Sequence, residues 1–217
     1  MDQKRVERVP MTGAESWDNR YSGADYSFGT APNAYLASRK DLFRPGMDVL
    51  VPADGEGRNG VWVAEQGGVV TSIDYSPVGG EKTRRLAKAR GVSVQCKTAD
   101  LTKWPWPRDA FDAIVSIFFH MPPSWRAYLH RSMAAALRPG GFVLIEGFRL
   151  AQIELQRTED SGGPPSRDML FSPEILREDF AALAIEELSE AETVLDEGPF
   201  HSGRAAVIRL VARKPGG

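Results

Sequence analysis

Residues 48–60 read DVLVPADGEGRNG, and this stretch decides the fold. It opens with a β-prone apolar run, turns at Gly55 and Gly57, and continues into a helix-compatible segment at 61–67. A glycine has no Cβ, so the backbone at such a turn can adopt positive φ and let a ligand approach closely. The first N–H groups of the following helix would point at that ligand. We therefore predict a strand, a ligand-binding turn and a helix, although glycines also close turns that bind nothing.

The composition is that of one ordinary globular domain. The 217 residues carry a formal net charge of −2, which gives no electrostatic argument for binding nucleic acid or an anionic membrane. Cys96 is the single cysteine, so an internal disulfide is excluded, and its apolar-alternating surroundings predict a buried core thiol. No apolar run approaches the ~20 residues of a membrane span. The charged segment 1–10 is unlike a secretory signal, so we expect a cytoplasmic protein. We also expect no membrane partner, because no apolar run is long enough, and no metal, because there is one cysteine and no cluster of acids after strand four.

Strand-like and helix-like segments alternate along most of the chain. Right-handed crossovers join successive strands of such units in parallel. We therefore predict an α/β fold, a doubly wound seven-stranded Rossmann-like sheet with five parallel strands, a C-terminal antiparallel hairpin and helices on both faces. The parallel strands are predicted at 47–51, 69–73, 92–97, 111–118 and 142–145, the hairpin at 184–194 and 205–213, and the main helices at 33–43, 57–66, 77–90, 122–137 and 173–182.

Two segments fall outside this alternation. Residues 1–31 are polar but rich in aromatic side chains, whereas a disordered tail would be poor in them. We predict that 1–31 form an ordered lid over a site and that 32–217 form a single main domain; plain packing is the other interpretation of the aromatics. Residues 149–170 form a long irregular loop, and such loops are usually functional or mobile. The aromatics of the N-terminal segment are Trp17, Tyr21, Tyr26 and Phe28.

The predicted sheet places its ligand site at the carboxyl ends of the strands, where the strand order reverses. Asp74 follows strand two, and a carboxylate there can accept hydrogen bonds from both hydroxyls of a ribose. Asp100 follows strand three between Ala99 and Leu101, which suits an adenine, with the acid on the exocyclic amine and the apolar neighbours on the ring. A solvated strand-end acid and a turn aspartate are the plainer interpretations of these two residues.

Together these motifs resemble the class I S-adenosylmethionine-dependent methyltransferases. The resemblance covers nearly the whole chain, from about Trp17 to Lys214, and includes the terminal hairpin. Within that family the chain is most similar to the tellurite-resistance and thiopurine-methyltransferase-like branch. The family motifs are the strand with Gly55-x-Gly57, Asp74, residues 99–101 (ADL), 111–115 (FDAIV) and 137–141 (LRPGG), and those of the branch are 57–59 (GRN), 120–122 (HMP) and 197–201 (EGPFH).

The resemblance implies that the chain binds S-adenosylmethionine and transfers the methyl group directly, without a covalent enzyme intermediate. The family usually has an acid at the end of strand one and a further glycine before the turn, where this chain has Val51 and Ala53. Asp54 stands where a cysteine is common and could supply a contact to the methionine amino group. The residues expected to hold the cofactor are Trp17, Tyr21, Asp54, Gly55, Gly57, Arg58, Asn59, Asp74, Tyr75, Ser76, Ala99, Asp100, Leu101, Ser116, Ile117 and Phe118.

Histidines are the candidates for taking a proton from the acceptor, because an imidazole titrates near neutral pH. His201 is the first choice, since it lies in a glycine-bounded turn that faces the carboxyl edge of the sheet and the branch carries a histidine in this motif. An exposed hairpin histidine is the other interpretation. His120 ends strand four near the expected methyl position, but it could instead cap the next helix or line the cofactor pocket. His130, beside Arg126 and Arg131 on a helix, is predicted to lie at the surface.

Arginines and aromatics complete the predicted acceptor side. Arg204, counted with the catalytic residues, and Arg149 could bind a carboxylate or oxyanion, or could simply be solvated. Tyr26 and Phe28 are expected to contact the acceptor from the N-terminal segment.

The acceptor is predicted to be a small molecule, methylated in line on S, Se, Te, O or N. The sequence after strand four, His120-Met121-Pro122-Pro123, lacks the Asn or Asp with which nucleic-acid base methylases hold an amino group. We expect no nucleic-acid partner and a monomer or homodimer. Two alternatives remain: a non-catalytic S-adenosylmethionine-binding or assembly protein of the same fold, suggested by Val51 and Ala53, and a nicotinamide-dependent oxidoreductase, suggested by the glycine turn with Asp74.

Overall fold

A seven-stranded sheet forms the centre of the computed structural model, which describes residues 13–216. Its strand order is β3-β2-β1-β4-β5-β7-β6, and the first five strands run parallel. β7 is antiparallel to both β5 and β6, so the predicted fold class and hairpin are confirmed. The strands are β1 (Asp48–Pro52), β2 (Val69–Asp74), β3 (Val94–Thr98), β4 (Phe111–Ile117), β5 (Leu137–Phe148), β6 (Ala184–Asp196) and β7 (Ser202–Arg213).

Seven α-helices surround the sheet in the described part of the chain, and three of them begin at a side-chain cap. Asn33, Ser76 and Ser172 each accept the N–H three residues on, which satisfies one of the donors left free at a helix start. The predicted caps at Ser76 and Ser172 are therefore present. The helices are α1 (Ala14–Tyr21), α2 (Ala34–Ser38), α3 (Arg58–Glu65), α4 (Pro77–Ala89), α5 (Pro123–Ala136), α6 (Gln152–Leu155) and α7 (Pro173–Asp179).

Several predicted boundaries are wrong. The helix expected over 33–43 is two short pieces, α2 and a 3₁₀ turn at Lys40–Leu42. β5 begins at Leu137 rather than 142, because the LRPGG turn continues the strand through a register shift against β4. α1 was not recognised within the N-terminal segment, and the loop 149–170 contains α6 and a 3₁₀ turn at Arg167–Met169. Residues 1–12 of the predicted lid lie outside the described residues.

The core lies on both faces of the sheet, as a doubly wound fold requires. One cluster packs α5 and α7 on β4 and β5, and the other packs α2 and α3 on the opposite face of β1 and β4. Cys96 is only half-buried, because β3 is an edge strand, so the predicted core thiol is wrong. The strand order reverses between β1 and β4, which places the predicted site between their carboxyl ends. No helix between residues 13 and 216 is long and apolar enough to cross a bilayer.

Candidate active site

A pocket with about 540 Å³ of empty volume, part of it open to solvent, lies at this switch point. Its floor is the glycine turn and the start of α3, one wall comes from the end of β4, and the cover comes from α1 and the segment after it. Ten of the residues predicted for the site line this pocket, and Ala53, Gly29 and Glu56 line it as well. The ten are Trp17, Tyr21, Phe28, Asp54, Gly55, Arg58, Asn59, Ile117, Phe118 and His201.

Each glycine of the turn makes room for a neighbouring side chain of the protein. A Cβ on Gly55 would lie 2.7 Å from the Tyr21 hydroxyl, and one on Gly57 would clash with Thr83. A Cβ on Gly60 would clash with the Asp54 carboxylate. Gly55 and Gly57 also have φ of 60° and 89°, which other residues rarely adopt. The glycine pattern therefore serves packing around the pocket as well as any ligand inside it.

Two residues without glycine's freedom also adopt positive φ beside the pocket. Ala53 has φ 52° after β1, and Phe118 has φ 51° after β4. Such conformations cost of order 1–2 kcal/mol and concentrate at functional sites. Ala53 thus adopts the left-handed conformation that a glycine adopts without strain.

The acidic side chains under the turn are held by hydrogen bonds. Asp74 is buried and accepts the N–H groups of Gly55 and Ser76, each at 2.8 Å. Asp54 is buried and accepts the Ser72 hydroxyl at 2.8 Å and the Gly60 N–H at 3.2 Å. Burial raises the pKa of Asp54 to about 6, against the lowering effect of these two bonds. Both acids therefore brace the turn.

Eight predicted cofactor residues do not line the pocket, and Gly57 and the Asp74 beneath the turn are two of them. Asp100 is bound by its own turn, since its Oδ1 accepts the Thr102 N–H at 3.0 Å and the Thr102 hydroxyl at 2.6 Å. The Leu101 side chain packs in the core, and Ser116 is buried within β4. Ala99 is half-buried beside them, Tyr75 is exposed at the sheet edge, and Ser76 caps α4.

The described part of the N-terminal segment closes over the turn. Trp17 stacks on Tyr21 with ring centroids 5.5 Å apart, and the Arg20 guanidinium lies 3.8 Å over the Phe200 ring of the β6–β7 turn. Tyr26 does not contact the pocket, because its hydroxyl donates to the Lys82 carbonyl on α4. The segment bridges the glycine turn and the β6–β7 turn.

A buried ion pair fixes this segment to the turn. Glu56, between the two glycines, accepts Lys82 Nζ at 2.7 Å and the Ser27 N–H at 2.7 Å. Lys82 also donates to the Asp25 carbonyl at 2.6 Å. The sequence analysis did not single out Glu56, and a charged residue inside a Gly-x-Gly turn was the signal available for it.

His201 faces the pocket inside an aromatic wall. Its ring centroid lies 4.6 Å from Phe28, 4.7 Å from Phe118 and 5.6 Å from Phe148. Burial lowers its pKa, and the neighbouring Glu197 carboxylate opposes that shift. The imidazole is 9 % exposed, so the interpretation as an exposed hairpin residue is wrong.

His120 has no ring nitrogen left for chemistry. Its Nδ1 lies 2.9 Å from the Met169 carbonyl, and its Nε2 lies 2.9 Å from the Phe148 N–H. A carbonyl only accepts and an N–H only donates, so the ring is the neutral tautomer with the proton on Nδ1. Desolvation lowers its pKa to about 4, although the Met169 carbonyl favours the charged form. The predicted direct catalytic role of His120 is contradicted, because the ring joins β5 to the 3₁₀ turn.

The other predicted polar residues of the acceptor side also lie elsewhere. Arg204 is largely exposed and pairs with Glu159 at 3.1 Å. Arg149 lies outside the pocket, 3.9 Å from Glu192. His130 is buried rather than at the surface, with Nδ1 2.8 Å from Asp179. The pocket therefore receives neither of the arginines expected to bind an anion.

Part of the chain matches a known family of protein domains. Residues 49–141 match the methyltransferase domain family. Uncharacterized proteins of Mycobacterium tuberculosis and Mycobacterium bovis are 29% identical over 131 residues, 56% of this chain and 48% of theirs. The chain thus matches about half the length of these curated relatives. The matched residues 49–141 include the glycine turn and β4.

Solved structures show the same fold over almost the whole chain. A protein studied in the conversion of a disulfide bond into a thioacetal group during echinomycin biosynthesis has a TM-score of 0.72 at 22% identity, covering 93% of this chain and 92% of that one. TehB from Haemophilus influenzae has a TM-score of 0.68 at 17% identity, covering 93% and 66%. Magnesium protoporphyrin IX methyltransferase from Synechocystis PCC 6803 was solved with bound S-adenosylhomocysteine. It has a TM-score of 0.61 at 14% identity, covering 93% of this chain and 83% of that one. The fold is that of class I methyltransferases.

Proposed function

We propose that the protein is an S-adenosylmethionine-dependent methyltransferase that methylates a small neutral molecule by direct in-line transfer. The observation that carries the proposal is the lining of the pocket: aromatic rings and carboxylates surround a glycine turn at the switch point, and one imidazole faces them. Fold alone would not support this, because one fold hosts many reactions.

The lining suits a cation. Trp17, Tyr21 and Phe118 offer ring faces, and Asp54 and Glu56 also belong to the lining, where Glu56 is paired with Lys82. A cation held against aromatic faces is stabilised by their quadrupoles, and a carboxylate adds direct attraction. S-adenosylmethionine has both a sulfonium and an ammonium group, whereas the pyrophosphate of a nicotinamide dinucleotide would meet the acids with like charge. The residues present therefore fit the first ligand and argue against the oxidoreductase alternative.

We assign the cofactor to the glycine turn, the start of α3 and the aromatic cover. In this proposal the backbone at Gly55–Asn59 and the N-terminus of α3 bind the methionine part, and Asp74 uses its remaining lone pairs for the ribose. When bound, the cofactor supplies an electrophilic methyl group on sulfur. The aromatic wall excludes water and holds the acceptor in line, and His201 takes the acceptor's proton.

The acceptor is proposed to be neutral and apolar, with an ionisable hydroxyl or thiol. Phe28, Phe118 and Phe148 surround His201, while Arg149 and Arg204 lie outside the pocket. A substrate carboxylate would have no cationic partner from either arginine. Phenols and thiols match the wall and have a proton that His201 can remove.

Calorimetric titration with S-adenosylhomocysteine, with a nicotinamide dinucleotide in parallel, tests the cofactor. We expect micromolar binding of the first and none of the second, because of the acidic lining. Binding of the dinucleotide alone, or of neither ligand, would refute the proposal. A screen of phenols and thiols for release of S-adenosylhomocysteine then tests turnover.

A non-catalytic S-adenosylmethionine-binding protein is the second candidate, and one contact favours it. The Tyr21 hydroxyl lies directly against Gly55, so the cover rests on the turn that would hold the methionine part. Tyr21→Ala separates the two: a binder closed by its cover gains affinity for S-adenosylhomocysteine, whereas a catalyst that uses Tyr21 to hold its cofactor loses affinity and turnover.

A further inference from the structure

A carboxylate from outside the predicted site lies beside His201. Glu197, at the β6–β7 turn, is buried, and its Oε2 lies 3.6 Å from His201 Nδ1. The same oxygen accepts Arg58 from the start of α3 at 2.6 Å. Burial would raise the pKa of Glu197, but its contact with His201 and the Arg58 charge outweigh burial and lower it to about 2. Glu197 is therefore an anion at neutral pH.

Asn33 fixes the other oxygen of this carboxylate. The Asn33 side chain is fully buried, and its Oδ1 accepts the Leu36 N–H at the start of α2. Its amide nitrogen must therefore face the acids, and it donates to Glu197 at 2.9 Å and to Glu146 at 2.7 Å. With Arg58 on one oxygen and Asn33 on the other, Glu197 cannot rotate away from His201.

The imidazole is arranged to use this anion. Nδ1 of His201 is buried and has no hydrogen-bond partner among the described residues, and 3.6 Å to Glu197 is slightly beyond hydrogen-bond reach. Catalytic hydrogen bonds are often long in the free enzyme and shorten during reaction. The opposite edge of the ring faces Gly162, where a Cβ would lie 3.0 Å from Nε2. One nitrogen therefore faces an anion, and the lack of a Cβ at Gly162 avoids a clash with the edge of the ring that carries the other.

We propose that Glu197 is a positioning residue, which holds the proton of His201 on Nδ1 so that Nε2 can accept the proton of the methyl acceptor, and that Arg58 and Asn33 hold Glu197 in place. This rests on the proposed function. When the acceptor loses its proton to Nε2, the imidazolium that forms donates its Nδ1–H to Glu197. Arg58 belongs to the helix that starts at the glycine turn, so the proposed cofactor site and the proposed base share one side chain.

Nuclear magnetic resonance of ¹⁵N-labelled histidine tests this without any acceptor. The sequence contains three histidines, and the His201 signals are assigned by their loss in His201→Gln. The charges facing His201 are Glu197 from its own turn, Arg58 from α3, Arg20 from α1 and, when protonated, His120 after β4. In the wild type we expect the tautomer with the proton on Nδ1. The opposite tautomer would overturn the proposal by itself.

Substitutions isolate the contribution of Glu197. In Glu197→Gln, loss of the anion should lower the pKa of His201 by about 1 unit or more. Glu197→Asp retains the anion and should keep the pKa of His201 close to its wild-type value. This second variant is measured as well in case Glu197→Gln folds poorly. Glu190→Gln is the matched control, because Glu190 is exposed on β6, and it should change the pKa of His201 by less than about 0.2 units. An unchanged pKa of His201 in Glu197→Gln would overturn the proposal.

Kinetics and binding separate this inference from the proposed function. With any acceptor that turns over, Glu197→Gln should lower kcat about tenfold or more with little change in KM, and should move the acid limb of the pH profile to lower pH by the shift seen for His201. S-adenosylhomocysteine is titrated into the same variants. If the His201–Glu197 coupling is present but this ligand does not bind, the cofactor assignment fails and the pair stands.

Discussion

The surroundings of His120 and His201 differ, although both rings pack on Phe148. The His120 ring binds a backbone carbonyl and a backbone N–H, and so joins β5 to the 3₁₀ turn. The His201 ring has an unpaired buried Nδ1 and faces the pocket. Backbone partners cannot change their protonation, whereas a carboxylate can stabilise the charged imidazole. Burial therefore does not distinguish a structural histidine from a catalytic one, whereas the partners of its two ring nitrogens do.

The largest expected effect concerns activity. His201→Gln should lower kcat by roughly 10²–10⁴-fold, the usual contribution of a positioned acid–base group, while the affinity for S-adenosylhomocysteine stays within about threefold. The measurement is steady-state kinetics beside calorimetry. His120→Gln is the matched control and should keep kcat within about tenfold, since Gln can also donate and accept. Equal losses in the two variants would remove the distinction.

The next effect concerns stability, for which a substitution of His120 should cost more than a substitution of His201. His120→Ala leaves the Phe148 N–H and the Met169 carbonyl without partners and opens a space against Phe171, 4.4 Å from the ring. We expect the free energy of unfolding to fall by about 2–4 kcal/mol. His201→Ala should cost less than half as much, because no hydrogen bond of its ring nitrogens is lost. Urea denaturation of both variants decides this.

Acid should destabilise the fold through His120. Its folded pKa of about 4 is below the ordinary 6.5, so the fold prefers the neutral ring. The contribution is complete above pH 6.5 and is lost as pH falls toward 4, by at most about 3 kcal/mol and by less where solvent reaches the half-buried ring. Unfolding free energies of the wild type and His120→Phe, measured between pH 7 and 4, should converge as pH falls.

Asp54 provides the control of opposite sign for that titration. Its pKa is raised to about 6, so its contribution is complete below about pH 4 and is lost as pH rises through 6. Asp54→Asn should therefore gain stability relative to the wild type as pH rises. The stability of Asp54→Asn and of His120→Phe, each relative to the wild type, should change with pH in opposite directions. If both changed in the same direction, the pKa shifts assigned to Asp54 and His120 could not both hold.

The smallest expected effect concerns KM for the acceptor, which is proposed to bind beside Nε2 of His201. Gly162→Ala places a methyl group 2.7 Å from His201 Cδ2, so we expect KM for the acceptor to rise about tenfold without loss of S-adenosylhomocysteine binding. Gly163→Ala is the matched control, since its φ is also positive but its Cβ would meet Gln156 instead. Both variants place an alanine at positive φ and are strained there, but only the methyl group of Gly162→Ala contacts His201. Equal increases in KM would assign the effect to strain.

The sheet could be predicted from the amino-acid sequence, because alternating apolar segments and right-handed crossovers leave few other arrangements. The sequence also placed the site at the carboxyl ends of β1 and β4, and it picked out the glycine turn, Asp54 and His201. These features are local or follow from chain order. The same reasoning placed Asp100 in the site; its Oδ1 accepts the Thr102 hydroxyl, and its contact with an adenine stays a prediction.

Only the tertiary structure decided what each polar group binds. His120 and His201 look alike in sequence, and their roles separate through their partners. Met169 reaches His120 from 49 residues along the chain. Glu197 is only four residues before His201, but it is held there by Arg58 and Asn33 from distant parts of the chain. The glycines of the turn read as a ligand motif, but packing against Tyr21, Thr83 and Asp54 also requires them. A pattern of residue types fixes periodicity and turn geometry, whereas hydrogen-bond partners depend on contacts between residues far apart in the chain. The physical reason is that a buried polar group takes whichever partner the fold brings within about 3 Å.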